Sequence, residues 1–432
     1  MNGTAGREAT LGRRAAAWRR VRALPLPLRN FAVLAATQGS VRVLSFGLGV
    51  YLARVLGVDN YGLYTYAFAF ASYFLLVSDF GLSRYVVREV SRDPTTASRT
   101  VRRVVGTRYA LASLAFAVML ALSLATGGGA GRTVVVCVAG LALLLAPLYG
   151  TLDAYFNARE AGYVMAAGQV ISTVTAVASA GLAASLGAPV AVIALAVALS
   201  AAPAVVTYVL LARRDGVAWW PVLEPSAWRA DLASSFPFFV LGFFAVIFFK
   251  IDSVMLTWYR GTADTGLYAA AYRLFEGVMI LPAVILIVMF PRSARAHVEG
   301  TLRRTYVRVA AVLLLAAALL APLLALAADP LVRLLYGSAY ADAGPLLRVL
   351  AIALPLAFMD TANAIALYAH QRVRLAALLA PLTAGSNILM NLYFIPHYGP
   401  MGAAVTTVLS EVVSVAIFTP LAWRWTASCA SS

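Results

Sequence analysis

Twelve stretches of about twenty mainly apolar residues, joined by connections that carry most of the charge, leave this chain few ways to fold. They lie near 31–56, 61–83, 104–126, 133–152, 164–186, 189–211, 235–258, 266–290, 307–328, 345–369, 375–394 and 401–423. A hydrocarbon core roughly 30 Å thick is crossed by about 20 helical residues. Inside it every backbone N–H and C=O must be satisfied within the segment, so the stretches are read as helices; none shows the short alternating pattern of a membrane barrel. With 62% apolar and only 12% charged residues, a water-soluble domain would have too little polar surface to cover itself. The expected fold is an all-α integral membrane protein with about 12 transmembrane helices.

Two turns in the sequence repeat. Gly57-Val-Asp-Asn-Tyr-Gly62-Leu63-Tyr64 and Gly261-Thr-Ala-Asp-Thr-Gly266-Leu267-Tyr268 lie about two hundred residues apart, each following one apolar segment and opening another. The repetition implies a duplicated bundle. It divides the chain into a basic tail (1–30), a first six-helix lobe (31–211), a linker (212–233), a second six-helix lobe (234–424) and a short tail (425–432).

Charge gives the orientation. Of 34 basic residues, 26 fall in one alternate set of connections and five in the other, namely Arg54, Arg132, Arg260, Arg333 and Arg348. The positive-inside rule then places both termini in the cytoplasm of a multi-pass cell-membrane protein. The net charge of +16 is spread over loops, so it points to topology and to contact with anionic membrane lipids, with no nucleic acid as partner. The first 30 residues have no apolar core and are not a secretory signal; Trp18, Val21 and Leu24 fit an amphipathic tail on the inner membrane surface. Cys137 within a span and Cys429 in the tail form no disulfide framework.

Catalytic signals are missing. The one lysine, Lys250, is not part of a phosphate-binding Gly-Lys-Ser/Thr loop, which excludes ATP-driven pumping by this chain alone. His297, His370 and His397 are scattered without metal-ligand spacing, no cofactor is expected, and the longest connections leave no room for a soluble catalytic domain.

Polarity within the spans carries the remaining information, because an ionisable group at bilayer depth costs at least about 2.5–3.5 kcal/mol and usually faces a bundle interior or wet cavity. Lys250 and Arg273 lie roughly 12 and 10 Å from the outer ends of consecutive antiparallel helices, and Arg42 sits nearer the middle of the first span. Converging on one cavity, the three would attract a pyrophosphate. The competing structural reading pairs Arg273 with Glu276 at i, i+3, while Asp252 reaches Arg273 only across the hairpin. Asp79, Asp252, Glu276, Asp360 and Glu411 are the candidates for holding a coupling H⁺ or Na⁺, or for structural pairing. Gly39, Gly47, Gly49, Pro237, Gly277, Pro282 and Pro355 permit bending or close packing of the spans. Residues 329–340 read as a short interfacial helix ended by Gly337.

Several of these segments resemble a known family. The repeated Gly-x4-Gly-Leu-Tyr turn, Arg54-Val-Leu-Gly57, Asp79-Phe-Gly81-Leu82, Asp252-Ser-Val-Met-Leu256, Ala271-Tyr-Arg273-Leu274, Phe290-Pro291, Leu335-Tyr336-Gly337 and Asn391-Leu-Tyr-Phe-Ile-Pro396 with Gly399 and Gly402 occur in the order and spacing of that family. They resemble the polysaccharide transporter branch of the multidrug/oligosaccharidyl-lipid/polysaccharide flippase superfamily, over nearly all of residues 29–424. The resemblance implies two six-helix lobes around a central cavity open alternately to either side. Its implied cargo is a polyprenyl-pyrophosphate-linked oligosaccharide moved from the cytoplasmic to the outer face. A drug exporter of the same superfamily would favour acidic residues without opposing cations, against which Lys250 and Arg273 argue. A peptidoglycan-precursor flippase typically has fourteen spans.

Overall fold

The computed structural model describes residues 26–369 and 373–428. The expected amphipathic tail around Trp18, together with His370 and Cys429, lies outside the described residues. Described residues form helices and connecting turns, with no β-strand among them. The first half comprises α1 (Leu26–Asp79), α2 (Leu82–Arg92), α3 (Ala97–Ala125), α4 (Gly129–Gly140), α5 (Ala142–Ala158), α6 (Gly162–Ser185), α7 (Val190–Ala198) and α8 (Ala202–Arg214). The second comprises α9 (Pro225–Arg260), α10 (Thr262–Val278), α11 (Ile280–Val298), α12 (Leu302–Leu326), α13 (Ala328–Tyr336), α14 (Ala343–Ala369) and α15 (Val373–Ser428).

Ten helices among the described residues are long and apolar enough to cross a membrane. Two are much longer than one crossing: α1 has 54 residues and α15 has 56, with non-helical backbone at Gly57 and at Gly399 respectively. The sequence reading divides each at these breaks. The outer surface supports a lipid environment directly, since α12 exposes Leu315, Leu319, Leu323 and Leu326 on one face at 62–83% while burying Leu313 and Ala317 on the other. An apolar stripe of that kind on a protein in water would be an aggregation surface.

The seventh expected span starts earlier than the sequence reading placed it. α9 begins at Pro225, inside the expected linker 212–233, which leaves an irregular connection only from Asp215 to Glu224. Pro225 at the first helical turn explains the early start, because its missing N–H would have no intrahelical partner there. The connection is held against α3 by the Val222 N–H, which donates to the Arg102 carbonyl at 3.1 Å. The expected interfacial helix is α13, ended by Gly337 at φ 93°. It does not simply lie on the bundle: the Tyr336 hydroxyl donates to the Ala270 carbonyl and the Tyr340 hydroxyl to the Ala53 carbonyl, at 3.1 and 2.7 Å, so the segment ties one half of the chain to the other.

The repeated turns form the seam between the halves. Gly57 (φ 73°, ψ 172°) and Gly261 (φ 94°, ψ −179°) share a conformation essentially restricted to glycine. The second glycine of each repeat does a different job. A Cβ on Gly62 would collide with the Thr262 carbonyl and Gly266 N, and one on Gly266 with the Val58 carbonyl and Gly62 N. The two turns therefore touch through bare backbone, flanked by a Thr262–Asp59 hydrogen bond and by Trp258 Nε1 donating to the Tyr66 hydroxyl at 3.2 Å. This seals the arginine-poor end of the interface.

Forcing extra atoms into a packed contact costs about 1–3 kcal/mol, roughly 5- to 150-fold in the sealed-to-open equilibrium. Gly62→Ala and Gly266→Ala are each expected to lower disulfide crosslinking of an Asp59→Cys/Thr262→Cys pair at least fivefold relative to the same pair with both glycines intact.

Candidate functional site

Arg273 of α10 is the centre of the interface between the halves. Its side chain projects from the second half onto the first, where Gly49 of α1 makes room for it: a Cβ there would lie 2.5–2.8 Å from the guanidinium atoms. Tyr61 lines a cavity together with the same group. Three cavities meet at Arg273. One of about 180 Å³ is lined by Lys250, Arg273, Glu276, Tyr61, Tyr64 and Thr65, among others. A second, about 240 Å³, has Arg42, Ser45, Phe46, Arg273 and Glu276 in its wall. The third, about 250 Å³, adds Ser172, Thr173 and Ser200 to Ser45 and Arg273. The three sequence-predicted cations thus line connected walls of one region, with the exposed Arg42 at its edge.

Electrostatics there are unbalanced. Glu276 lies between two cations, 3.4 Å from Lys250 Nζ and 3.5 Å from Arg273 Nη1. The i, i+3 pairing expected from the sequence is present, but the carboxylate is divided between two partners and neither contact is short. It is the only acidic residue lining these cavities, against Arg42, Lys250 and Arg273. Lys250 is 41% exposed and Glu276 37%, so the charges face an accessible space. Such a site presents guanidinium and ammonium donors to an anion able to accept several hydrogen bonds at once.

Asp252 does not reach Arg273. Two residues from Lys250 on a helix, it points to another face and is buried against α15. The Tyr268 hydroxyl donates to its Oδ2 at 2.8 Å, Thr407 Oγ1 to the same oxygen at 3.3 Å, and Asn391 Nδ2 to its Oδ1. Asn387 continues the cluster by accepting from Asn391 at 3.0 Å. Among the described residues no basic side chain is bonded to this carboxylate, and Asn391 Oδ1 is buried without a hydrogen-bond partner. Asn391 stood in the sequence only as part of a family motif, and nothing in the spacing connected it with a residue 139 positions earlier.

The other candidate carboxylates separate into two environments. Asp360 and Glu411 line a separate cavity of about 320 Å³ within the second half, walled by Phe244, Phe248, Phe249 and Phe418, which shares Met279 with the cavity of Arg42 and Arg273. Asp79 terminates α1, where Phe80 and Gly81 both take positive φ (46° and 76°) and turn the chain into α2. It accepts from the Gly81 N–H at 3.1 Å and from Ser83, and pairs at 3.1 Å with Arg108. Sequence reasoning missed Arg108, which falls where the basic connection 84–108 overlaps the third span. The structure buries it inside α3, also donating to Ser83 and Thr151 at 3.2 Å each. That overlap was the available signal.

The two halves of the chain meet over this cationic region, and the structural comparisons identify the fold. The chain superposes on an inward-facing multidrug resistance MATE family transporter of the MOP superfamily with a TM-score of 0.68, at 13% identity over 90% of this chain and 95% of that one. It superposes on the lipid II flippase MurJ in an inward closed conformation with a TM-score of 0.70, at 13% identity over 92% and 90% of the two chains. A third match is a MOP superfamily transporter from Pyrococcus furiosus with a binding pocket of reversed polarity (TM-score 0.63, 14% identity, 94% and 97% covered). A family model described as polysaccharide biosynthesis protein matches residues 27–297, and the chain belongs to that family. A search of curated proteins finds no significant match.

Arg108 is 3% exposed, so neutralising its partner leaves a buried, uncompensated guanidinium. Asp79→Asn is expected to destabilise the protein by about 3–5 kcal/mol, whereas the double variant Asp79→Asn/Arg108→Met recovers most of that loss. Denaturant unfolding in detergent checks both.

Proposed function

We propose that this protein is a flippase that carries a polyprenyl-pyrophosphate-linked oligosaccharide from the cytoplasmic to the outer face of the cell membrane by alternating access, with both termini in the cytoplasm and twelve crossings in two lobes. The observation carrying this reading is the placement of Arg42, Lys250 and Arg273 around connected cavities at the seam, with Glu276 as their only carboxylate. A pyrophosphate presents several acceptor oxygens and multiple negative charges, which match that donor set. The head group cannot cross hydrocarbon unaided, because its charges and hydroxyls would be stripped of water. A cleft closed at one end by the glycine seam supplies a wet route, and the lipid tail stays in the bilayer between the lobes. An exporter of cationic drugs would place its ligand among like charges here, which disfavours that reading.

The coupling ion, H⁺ or Na⁺, is assigned to Asp252. Its carboxylate is buried without a bonded basic partner, beside an unpaired Asn391 carbonyl oxygen and the Thr407 hydroxyl, so a cation would complete the cluster. Glu276 is committed to cations, and Asp79 to Arg108.

Hydrogen bonds to charged groups are each worth about 1.5–3 kcal/mol, so Lys250→Ala and Arg273→Ala should each weaken binding of a polyprenyl pyrophosphate by about 10- to 100-fold. Mass spectrometry of cells lacking the gene should show a pyrophosphate-linked oligosaccharide that wild type clears and the double variant does not. Separately, Asp252→Asn is expected to remove the dependence of flipping on an imposed ion gradient in proteoliposomes while changing polyprenyl pyrophosphate affinity less than threefold.

A further inference from the structure

Beside Arg273, on the wall contributed by the first lobe, lies a polar surface that, apart from Arg42, is neutral and is not used by the pyrophosphate. On α1 the residues Gln38, Arg42, Ser45 and Gly49 follow at intervals of three or four and share one face. On α6 Gln169, Ser172 and Ala176 follow at intervals of three and four, with Thr173 next to Ser172 and also lining the cavity. Gln38 Nε2 donates to Gln169 Oε1 at 2.8 Å, so the two faces meet at one end of these stripes. Along them lies the cavity of about 250 Å³ lined by Ser45, Ser172, Thr173 and Ser200, with Arg273 as its one charged residue.

Hydroxyls within membrane helices ordinarily bond back to a carbonyl one turn earlier. This protein follows that habit at Thr65, Ser113, Ser179 and Thr257. Ser200 follows it too, donating to the Val197 carbonyl at 2.8 Å. Ser45, Ser172 and Thr173 do not, and among the described residues no protein group hydrogen-bonds to their hydroxyls. Three free hydroxyls facing one cavity at bilayer depth form a donor and acceptor set without a ligand of its own. Tyr64 adds an aromatic wall, and Leu48, Val177 and Val197 supply apolar contact.

We infer that this wall of the first lobe is a carbohydrate subsite, seating the sugar joined to the pyrophosphate while Arg273 holds the phosphates. The inference rests on the flippase reading above. A sugar ring is neutral, carries hydroxyls that both donate and accept, and has an apolar face suited to an aromatic wall. Serine and threonine hydroxyls fit it in both roles. The cavity is smaller than the roughly 300–1,000 Å³ of drug-sized ligand sites, so it takes one ring, and the remaining sugars extend into the open cleft. Because α1 and α6 belong to the first lobe and Arg273 to the second, the sugar and the pyrophosphate would be gripped by opposite lobes. Cargo lacking its first sugar would then bridge the seam less well.

The test compares binding of two probes to the purified full chain: a polyprenyl pyrophosphate, and the same lipid carrying one N-acetylhexosamine. The wild type should bind the sugar-bearing lipid at least tenfold more tightly. Ser172→Ala/Thr173→Val should lose about 25-fold, at roughly fivefold per hydrogen bond, for the sugar-bearing lipid alone. Affinity for the sugar-free lipid serves as the control for folding, and Thr173→Ser should retain the preference. Equal wild-type affinities, or equal loss for both lipids in the double variant, would overturn the subsite and leave a solvated vestibule only. Arg273→Ala separates the two readings: unchanged affinity for the sugar-free lipid defeats the pyrophosphate site whatever the sugar preference, whereas a loss for both lipids leaves the subsite to be decided by the serine and threonine variants.

Discussion

Backbone contact between Gly62 and Gly266 is the interaction on which the arrangement of the halves depends. The two turns approach so closely that neither has room for a methyl group, and Gly57 and Gly261 place them there with backbone angles that other residues avoid. Membrane helices gain no hydrophobic energy from associating in lipid, so close packing through small residues has to supply the attraction. Around this contact gather the Tyr340–Ala53, Tyr336–Ala270 and Trp258–Tyr66 hydrogen bonds. Buried side chains of both halves, among them Leu52, Tyr61, Tyr66, Leu256, Tyr268 and Tyr340, pack into one core around it.

Below the seam the cleft is polar in a graded way. Arg42, Lys250 and Arg273 outnumber Glu276, and the adjoining wall of the first lobe is hydroxyl-lined and neutral. Charges at this depth are costly unless solvated or paired, and around Glu276 one carboxylate is divided between Lys250 and Arg273. The Asp79–Arg108 pair contrasts with it: there one carboxylate meets one deeply buried guanidinium, with Ser83 and Thr151 filling remaining sites, and the result pins a helix end.

Much of the fold was legible in the sequence because bilayer thickness turns apolar run length into a direct signal. Helix ends were less so: α9 begins at Pro225, within a stretch that looked like linker, because amphipathic turns carrying Trp228, Arg229 and Asp231 are too polar to register as a span. Lys250, Arg273 and Glu276 could be named beforehand from cost alone, since ionisable residues are rare at that depth. The partners of Asp252 could not. Thr407 is 155 positions away and is an ordinary membrane-helix residue until α15 packs beside α9. Arg108 was hidden for a related reason, at the edge between a basic loop and a span, where either assignment satisfies the pattern.

By itself the sequence determined that the chain is a helical membrane protein, with two glycine turns in matching register and a few cations too costly to be accidental. Those properties follow from local chemistry: run length, backbone freedom at glycine, and the energy of a charge in hydrocarbon. Tertiary structure alone decided that the repeated turns touch one another, that Glu276 is shared between Lys250 and Arg273, that Asp252 turns toward Asn391 and Thr407, and that free hydroxyls of α1 and α6 line one cavity. These are contacts between residues remote in the chain. Their geometry is fixed by how helices rotate and pack, which no single helix specifies.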